Sequence, residues 1–183
     1  KGDVVSFPRY GTDVGKAIKA ELASGLPDRA IILQALMSID RYAYAPELKA
    51  RQSAGMATIL DRYWLSGVVY GAVYGGLDPR WLASIHEMLP LPDLWVIIDI
   101  PEDECARRRP NKRDAYEENR QKMAEVAAAY PSFAGTKSCV AGVTFDNPID
   151  YNRVLVVNGV GTINEVAHRI LAGIDQAYHK GAI

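Results

Sequence analysis

Little in these 183 residues points to a staple, a membrane or a polyanion. There are two cysteines, Cys105 and Cys139, far apart and outside any paired motif, so no disulfide framework is implied. Three histidines (His86, His168 and His179) show no metal-ligand spacing with them, and are expected to be structural or surface residues. No charge of one sign dominates: 21 Lys+Arg stand against 22 Asp+Glu, so the basic excess of a nucleic-acid or anionic-membrane binder is missing. The longest uncharged run, Tyr63 to Leu77, falls short of the roughly 18 residues of a bilayer crossing and carries four glycines and three tyrosines. Nothing at the start reads as a secretory leader, and a cytoplasmic location is expected. What is there is ordinary: 49% hydrophobic and 23% charged residues, the composition of a globular chain and not of a disordered or coiled-coil one. The length suits a single domain able to bury its own core.

Short apolar runs alternate with helical periodicity. Val4–Phe7, Met56–Leu60, Leu94–Ile98 and Val154–Val157 read as strands. Thr12–Leu22, Ile31–Ala45, Pro46–Arg51, Trp64–Tyr74, Asp114–Tyr130 and a short piece from Glu102 to about Arg108 read as helices. Asp78-Pro79 is an N-cap followed by proline, opening a helix expected to reach about Leu89. Thr162-Ile163-Asn164-Glu165 is a capping box for a helix to Ile174. Pro131 to Arg153 is irregular and reads as a loop or an insertion. This order predicts an α/β fold, a parallel sheet covered by helices on both faces.

In such sheets ligands sit outside the carboxyl ends of the strands. Phe7-Pro8-Arg9-Tyr10 follows the first strand, Asp61-Arg62-Tyr63 the second, Asp99 the third, and Asn158-Gly159-Val160-Gly161-Thr162 the last. Two arginines and two aspartates then share one edge. Arginine forks suit phosphate oxygens, and a carboxylate ending an apolar strand suits Mg²⁺, the elements of a phosphoryl-transfer site. The cluster Arg107-Arg108-Arg109-Pro110-Asn111-Lys112-Arg113 has five basic residues in seven. By composition it is a solvated or nucleic-acid patch. By position, between two helices after the third strand, it fits a lid over a polyphosphate. A Walker A loop is not found. Gly11-Thr12-Asp13-Val14-Gly15-Lys16-Ala17 has three residues between its glycines instead of four, and Ala17 where the metal-binding hydroxyl belongs. Its Gly15 and Lys16 are expected in the first turns of a helix.

Together, Phe7-Pro8-Arg9-Tyr10-Gly11, Asp40-Arg41, Asp61-Arg62-Tyr63 with Ser66 and Tyr70, Leu91-Pro92-Asp93-Leu94, the basic segment ending Arg113-Asp114-Ala115-Tyr116-Glu117, and Val154-Leu155-Val156-Val157 resemble the thymidylate kinase (dTMP kinase) family. The resemblance runs from Val4 to about Ala172. It implies a three-layer α/β/α parallel sheet of the P-loop nucleoside-monophosphate kinase type. It also implies one kinase domain with a lid at about residues 107–117, and transfer of the ATP γ-phosphoryl to dTMP with Mg²⁺, in a homodimer packed through helices such as Ile31–Ala45. Catalysis is implied for Asp61, Arg62, Arg9, Arg107, Arg108 and Arg113, with Asp61 at the metal. Phe7, Arg9, Met37, Arg41, Arg62, Ser66, Gly67, Tyr70, Asp114, Tyr116 and Glu117 are implied to hold dTMP, with Arg9 on its phosphate, Arg41 on the thymine carbonyl and Tyr70 under the deoxyribose. Arg107, Arg109, Arg113, Gly159, Val160 and Gly161 are implied on the ATP side.

The sequence departs from the family pattern at Met37, where phenylalanine often stacks on the base, and at Gly67, often Asn or Thr. It also has no counterpart of the family's leading strand and P-loop, so these residues alone are expected to phosphorylate dTMP negligibly and to fold poorly. Two alternatives stay open: another nucleoside or nucleoside-monophosphate kinase of this fold, and a catalytically inactive nucleotide-binding protein.

Overall fold

The computed structural model describes residues 2–24, 29–108, 119–179 and 181. They form two compact units, residues 1–91 and 92–183.

In the first unit, β1 (Asp3–Ser6) pairs in parallel with β2 (Thr58–Asp61), from Asp3 opposite Thr58 to Ser6 opposite Asp61. The register is continued by the Phe7 amide, which donates to the Asp61 carbonyl at 3.0 Å. The segments after both strands therefore leave from one end of the pair. Between the strands run α1 (Asp13–Ser24) and α2 (Ala30–Ser53). The sequence splits α2 at Pro46, but the helix is continuous. Tyr44, Ala45 and Leu48 are buried on either side of the proline, and their packing holds the helix through the hydrogen bond that Pro46 cannot make.

After β2 come α3 (Trp64–Gly75), closed by Gly76 in the left-handed conformation, and α4 (Pro79–Ser84). The Asp78 carboxylate accepts from the Arg80 amide at 2.9 Å, as a cap should. The helix ends five residues before the expected Leu89. Beyond it the chain closes in tighter turns, with the His86 amide on the Ala83 carbonyl and the Leu89 amide on the His86 carbonyl. Phe7, Ile18, Val68, Val69, Leu82 and Leu89 lie in this unit's core.

In the second unit, β3 (Trp95–Asp99) pairs in parallel with β6 (Val154–Asn158), Asp99 opposite Asn158. Flanking them are α5 (Glu102–Arg108), α6 (Arg120–Ala129) and α7 (Ile163–His179). The capping box forms as read: the Thr162 amide donates to Glu165 Oε2 at 2.7 Å, and the Glu165 amide to Thr162 Oγ1 at 3.3 Å. The helix runs to His179, past the expected Ile174. The irregular stretch holds structure of its own, an antiparallel hairpin of β4 (Lys137–Val140) and β5 (Val143–Asp146). Asn147 Nδ2 ties the hairpin's base to the carbonyls of Phe133 and Gly135, each at 2.7 Å, over a small core of Phe133, Val140, Phe145 and Ile149. No helix among the described residues is long and apolar enough to cross a membrane.

Candidate functional site

Arg9, just past β1, is held by a residue 31 positions away in sequence. Its amide donates to Asp40 Oδ2 at 2.8 Å, its Nε to Asp40 Oδ1 at 3.0 Å, and its Nη2 to the Asp40 carbonyl at 2.8 Å. Asp40 is 0% exposed on α2, so the pair is desolvated on the acid's side and open on the arginine's. The guanidinium also lies 5.2 Å from the centre of the Tyr44 ring. Phe7 is buried edge-on against Tyr44 and tilted against Tyr63, at centroid distances of 6.0 and 5.7 Å. The result is a guanidinium oriented by two hydrogen bonds, its backbone fixed by a third, and backed by aromatics, an arrangement chemically suited to meeting an anion. Neither Asp40's grip nor Tyr44 was assigned a role from sequence. A buried aspartate must be paired, but a partner so distant in sequence has no local signature.

The decoy glycine segment is indeed a helix start. Thr12 Oγ1 accepts from the Gly15 amide at 3.0 Å, and Lys16 pairs with Asp13 one turn earlier at 2.8 Å, out in solvent. A Cβ at Gly15 would collide with the Arg9 carbonyl, so its glycine serves packing and not a phosphate cradle.

At the end of β2, Asp61 is exposed and Arg62 has φ +57°, a conformation that disfavours a side-chain-bearing residue. Such strain is held where the surroundings determine it and concentrates at functional positions. Arg62 Cζ stands 5.7 Å from the centre of the Tyr70 ring, and Tyr70 stacks on Tyr74 at 5.9 Å. Arg41 is 3% exposed; its Nη1 donates to the Met37 carbonyl at 3.1 Å and its Nη2 lies 3.4 Å from the Arg62 carbonyl. The first unit thus gathers Arg41, Met37 and Gly67 on one side and Arg62 with Tyr70 beside them. Ser66 sits in the first turn of α3, its amide on the Tyr63 carbonyl at 3.2 Å.

Behind Gly67 lies His86, 1% exposed and stacked on Trp64 at 5.8 Å. Nδ1 is 2.7 Å from the Leu82 carbonyl, which can only accept, so Nδ1 carries the proton. Nε2 then competes with the Gln34 carbonyl for the single Ser38 hydroxyl proton, at 3.0 and 2.8 Å. Burial first, and the nearby Arg41 charge second, push the imidazole down to about 4. The unfolded chain binds this proton near pH 6.5 and the folded chain does not, so stability must fall as pH drops from about 6.5 towards 4. Between pH 7 and 5 the loss is expected to be about 2 kcal/mol in urea unfolding, and smaller by that amount in His86→Gln.

In the second unit, the loop after β6 is clamped by two arginines that take its carbonyls alternately. Arg108 Nη2 donates to Gly159 and Gly161 at 3.0 and 2.8 Å, while Arg169 Nη1 donates to Asn158 and Val160 at 2.8 and 2.6 Å. The Gly159 amide completes the anchorage on the Asp99 carbonyl at 2.7 Å. Arg107 and Arg108 share Glu104, whose acid the two guanidinium hydrogen bonds pull down to about 2. Arg108 is therefore a loop-holding group here, and Arg169, four residues after the capping-box glutamate, was missed because its targets are backbone oxygens. The expected site residues Arg109, Arg113, Asp114, Tyr116 and Glu117 lie outside the described residues.

The family model described as "Thymidylate kinase" matches residues 1–145. The probable thymidylate kinase of Metallosphaera sedula is 35% identical over 107 residues, which cover 57% of this chain and 52% of that one. Human thymidylate kinase is 27% identical over 119 residues, covering 64% of this chain and 55% of that one. The chain therefore spans about half the length of these curated relatives. The solved thymidylate kinase of Candida albicans superposes with a TM-score of 0.75 at 22% identity, over 100% of this chain and 82% of that one, and shares its fold. On the family match and the fold together, the chain belongs to the thymidylate kinase family.

Proposed function

We propose that the chain acts in an ATP-dependent thymidylate kinase, converting dTMP to dTDP, and that its first unit carries the dTMP site. The observation that carries this is the aimed Arg9, locked on Asp40 beside the buried Arg41 and the strained Arg62. Arg9 and Arg62 would take the acceptor phosphate, Arg41 a base carbonyl, Phe7, Met37, Ser66 and Gly67 the walls, and Tyr70 the sugar. Catalysis would consist of positioning and of neutralising the charge on the transferred phosphoryl group. The loop of Gly159, Val160 and Gly161 would meet the ATP base, with Arg108 and Arg169 setting its shape. By the family resemblance, Arg107, Arg109 and Arg113 would serve ATP phosphates, and Asp114, Tyr116 and Glu117 would serve dTMP.

Mg²⁺ is commonly bound through one or two carboxylates plus substrate phosphate oxygens. Asp61 fits that donor set: its exposed carboxylate makes no hydrogen bond to a described residue. Three-ligand clusters of His, Cys, Asp or Glu are absent among the described residues, so most remaining ligands would come from nucleotide and water. The ion would supply charge neutralisation for the phosphoryl group. Exposed Ile31, Ile32 and Ile39 on α2 support a homodimer through that helix.

Calorimetric titration with dTMP tests the reading; a folded chain that fails to bind it overturns the reading. Comparing dTMP with dCMP addresses the alternative of another nucleoside-monophosphate kinase, which Met37 favours. Sugar choice offers a second check. Arg62 Cζ and the Tyr74 ring both pack on the Tyr70 ring, and a ring held in this way would exclude a 2′-hydroxyl by volume. Tyr70→Ala is expected to raise binding of UMP relative to dUMP by about tenfold, a contact worth about 1.4 kcal/mol. An unchanged ratio would place sugar selection elsewhere.

A further inference from the structure

From Trp64 to Val73 every residue of α3 is buried except Ser66 and Tyr70. Tyr74, half-buried, follows one turn later. Ser66, Tyr70 and Tyr74 fall at i, i+4 and i+8 and form a single open stripe along the helix. The adjoining face is packed too closely to let the helix roll. A Cβ at Gly67 would lie 3.3 Å from Gln34 Oε1 of α2, and one at Gly71 3.1 Å from Gln34 Cδ. The direction of the open stripe is therefore fixed by the buried one. Ser66 and Tyr70 carry roles implied by the family resemblance, and Tyr74 carries none.

The rings of Tyr70 and Tyr74 are almost parallel, 10° apart in plane, with centroids at 5.9 Å. Arg62 Cζ packs on the same Tyr70 ring at 5.7 Å. Ring on ring and guanidinium on ring are both contacts that hold planar groups in place. The members differ in how firmly they are seated. Tyr74 stands in the last turn of α3, which Gly76 closes in the left-handed conformation. Arg62 stands outside the helix, exposed and at φ +57°. A half-buried tyrosine on a helix has more than one rotamer open to it, and a parallel ring one turn on favours the rotamer that stacks. Order in this group thus runs from Tyr74 through Tyr70 to Arg62.

We propose that Tyr74 is a positioning residue for the acceptor nucleotide. It holds the Tyr70 ring in the rotamer that supports the Arg62 guanidinium and closes the space beside the sugar 2′-carbon. This rests on the first unit's being the dTMP site. With Tyr74 gone, the Tyr70 ring can swing. A swinging ring makes room for a hydroxyl that a fixed ring rejects, and it no longer presents Arg62 in one place. Tyr74 thereby acts on two properties together, the affinity for the nucleotide and the preference for deoxyribose.

The test is a thermodynamic cycle. Tyr74→Ala, Tyr70→Ala and the double variant are titrated calorimetrically with dTMP, dUMP and UMP. Tyr74→Ala is expected to weaken dTMP about fivefold and to lower the preference for dUMP over UMP by a similar factor. In the Tyr70→Ala background the same change should do nothing further, because its route to the ligand has gone. Tyr74→Phe keeps the ring and should stay within about twofold of wild type on both readouts. A merely structural role would lower the melting temperature and leave the sugar preference where it was. Tyr74→Leu, which removes the ring and keeps most of the bulk, serves if Tyr74→Ala does not fold. A ligand-free readout is the Arg62 Nε–Hε resonance, which the Tyr70 ring current displaces. Both Tyr70→Ala and Tyr74→Ala should return it towards the position of an unstacked arginine. Unchanged affinity and sugar preference in Tyr74→Ala would overturn the proposal alone. So would losses that add in the double variant, a Tyr74→Phe as impaired as Tyr74→Ala, or an Arg62 resonance that Tyr74→Ala leaves in place. A folded wild type that does not bind dTMP would overturn the acceptor-site reading together with it.

Discussion

Asp40→Ala should cost the chain about 3–5 kcal/mol of stability and most of its affinity for dTMP. Asp40 is fully buried, and its carboxylate accepts two of the three hydrogen bonds that Arg9 makes to it. Removing one partner of a buried ion pair leaves the other uncompensated, which is among the costliest single changes a core can suffer. Arg9 keeps part of its side chain in solvent and its bond to the Asp40 backbone carbonyl, so the lower end of the range is expected. The freed guanidinium would swing off the aromatic ring of Tyr44 and lose the orientation that a phosphate needs. Urea unfolding should show a lower midpoint at unchanged slope, and the dTMP titration a parallel weakening. An unfolding midpoint that does not move would mean that Asp40 is not Arg9's anchor.

Arg62 separates function from stability more cleanly. It is exposed at the end of β2 and strained at φ +57°. Arg62→Gly should relieve about 1–2 kcal/mol of left-handed strain, offset by the about 0.4–1 kcal/mol that glycine's freedom in the unfolded chain costs, for a small net gain in stability. In the proposed site the same change would remove a charged contact to phosphate, worth about 1.5–3 kcal/mol, and dTMP should bind on the order of ten- to a hundredfold more weakly. Arg9→Ala should match it in affinity but lose stability as well, since it strands buried Asp40. A chain made more stable and less able to bind by the same substitution is the signature of a residue held for its ligand. Equal dTMP affinity in Arg62→Gly and wild type would remove Arg62 from the site.

Local chemistry was legible in the sequence, and long-range pairing was not. The capping box at Thr162 and Glu165 and the Asp78 cap form as written, because each is satisfied within a turn. The parallel pairs β1–β2 and β3–β6 follow from short apolar runs separated by helices, with Arg9 and Arg62 leaving the same sheet end. Pro46 misled the boundary of α2 because core packing at Tyr44 and Leu48 outweighs a single lost backbone bond. The hairpin of β4 and β5 escaped notice because its strands are four residues each and carry lysine, serine and threonine among their apolar positions. The candidate residues read from chain order alone were those at strand ends, while Met37, Arg41, Ser66, Gly67 and Tyr70 came from the family resemblance. The ones missed, Asp40, Tyr44 and Arg169, touch partners distant in the chain or backbone carbonyls.

The most direct test of the acceptor site is a two-dimensional ¹⁵N–¹H NMR titration of this chain with dTMP. One saturable set of shifts is expected, largest at the amides of Arg9, Arg41, Arg62 and Tyr70, with Asn158 to Thr162 unmoved. A folded chain that gives no saturable shifts, or shifts that gather at the loop after β6 and leave Arg9 and Arg62 where they were, would contradict an acceptor site at Arg9 and Arg62.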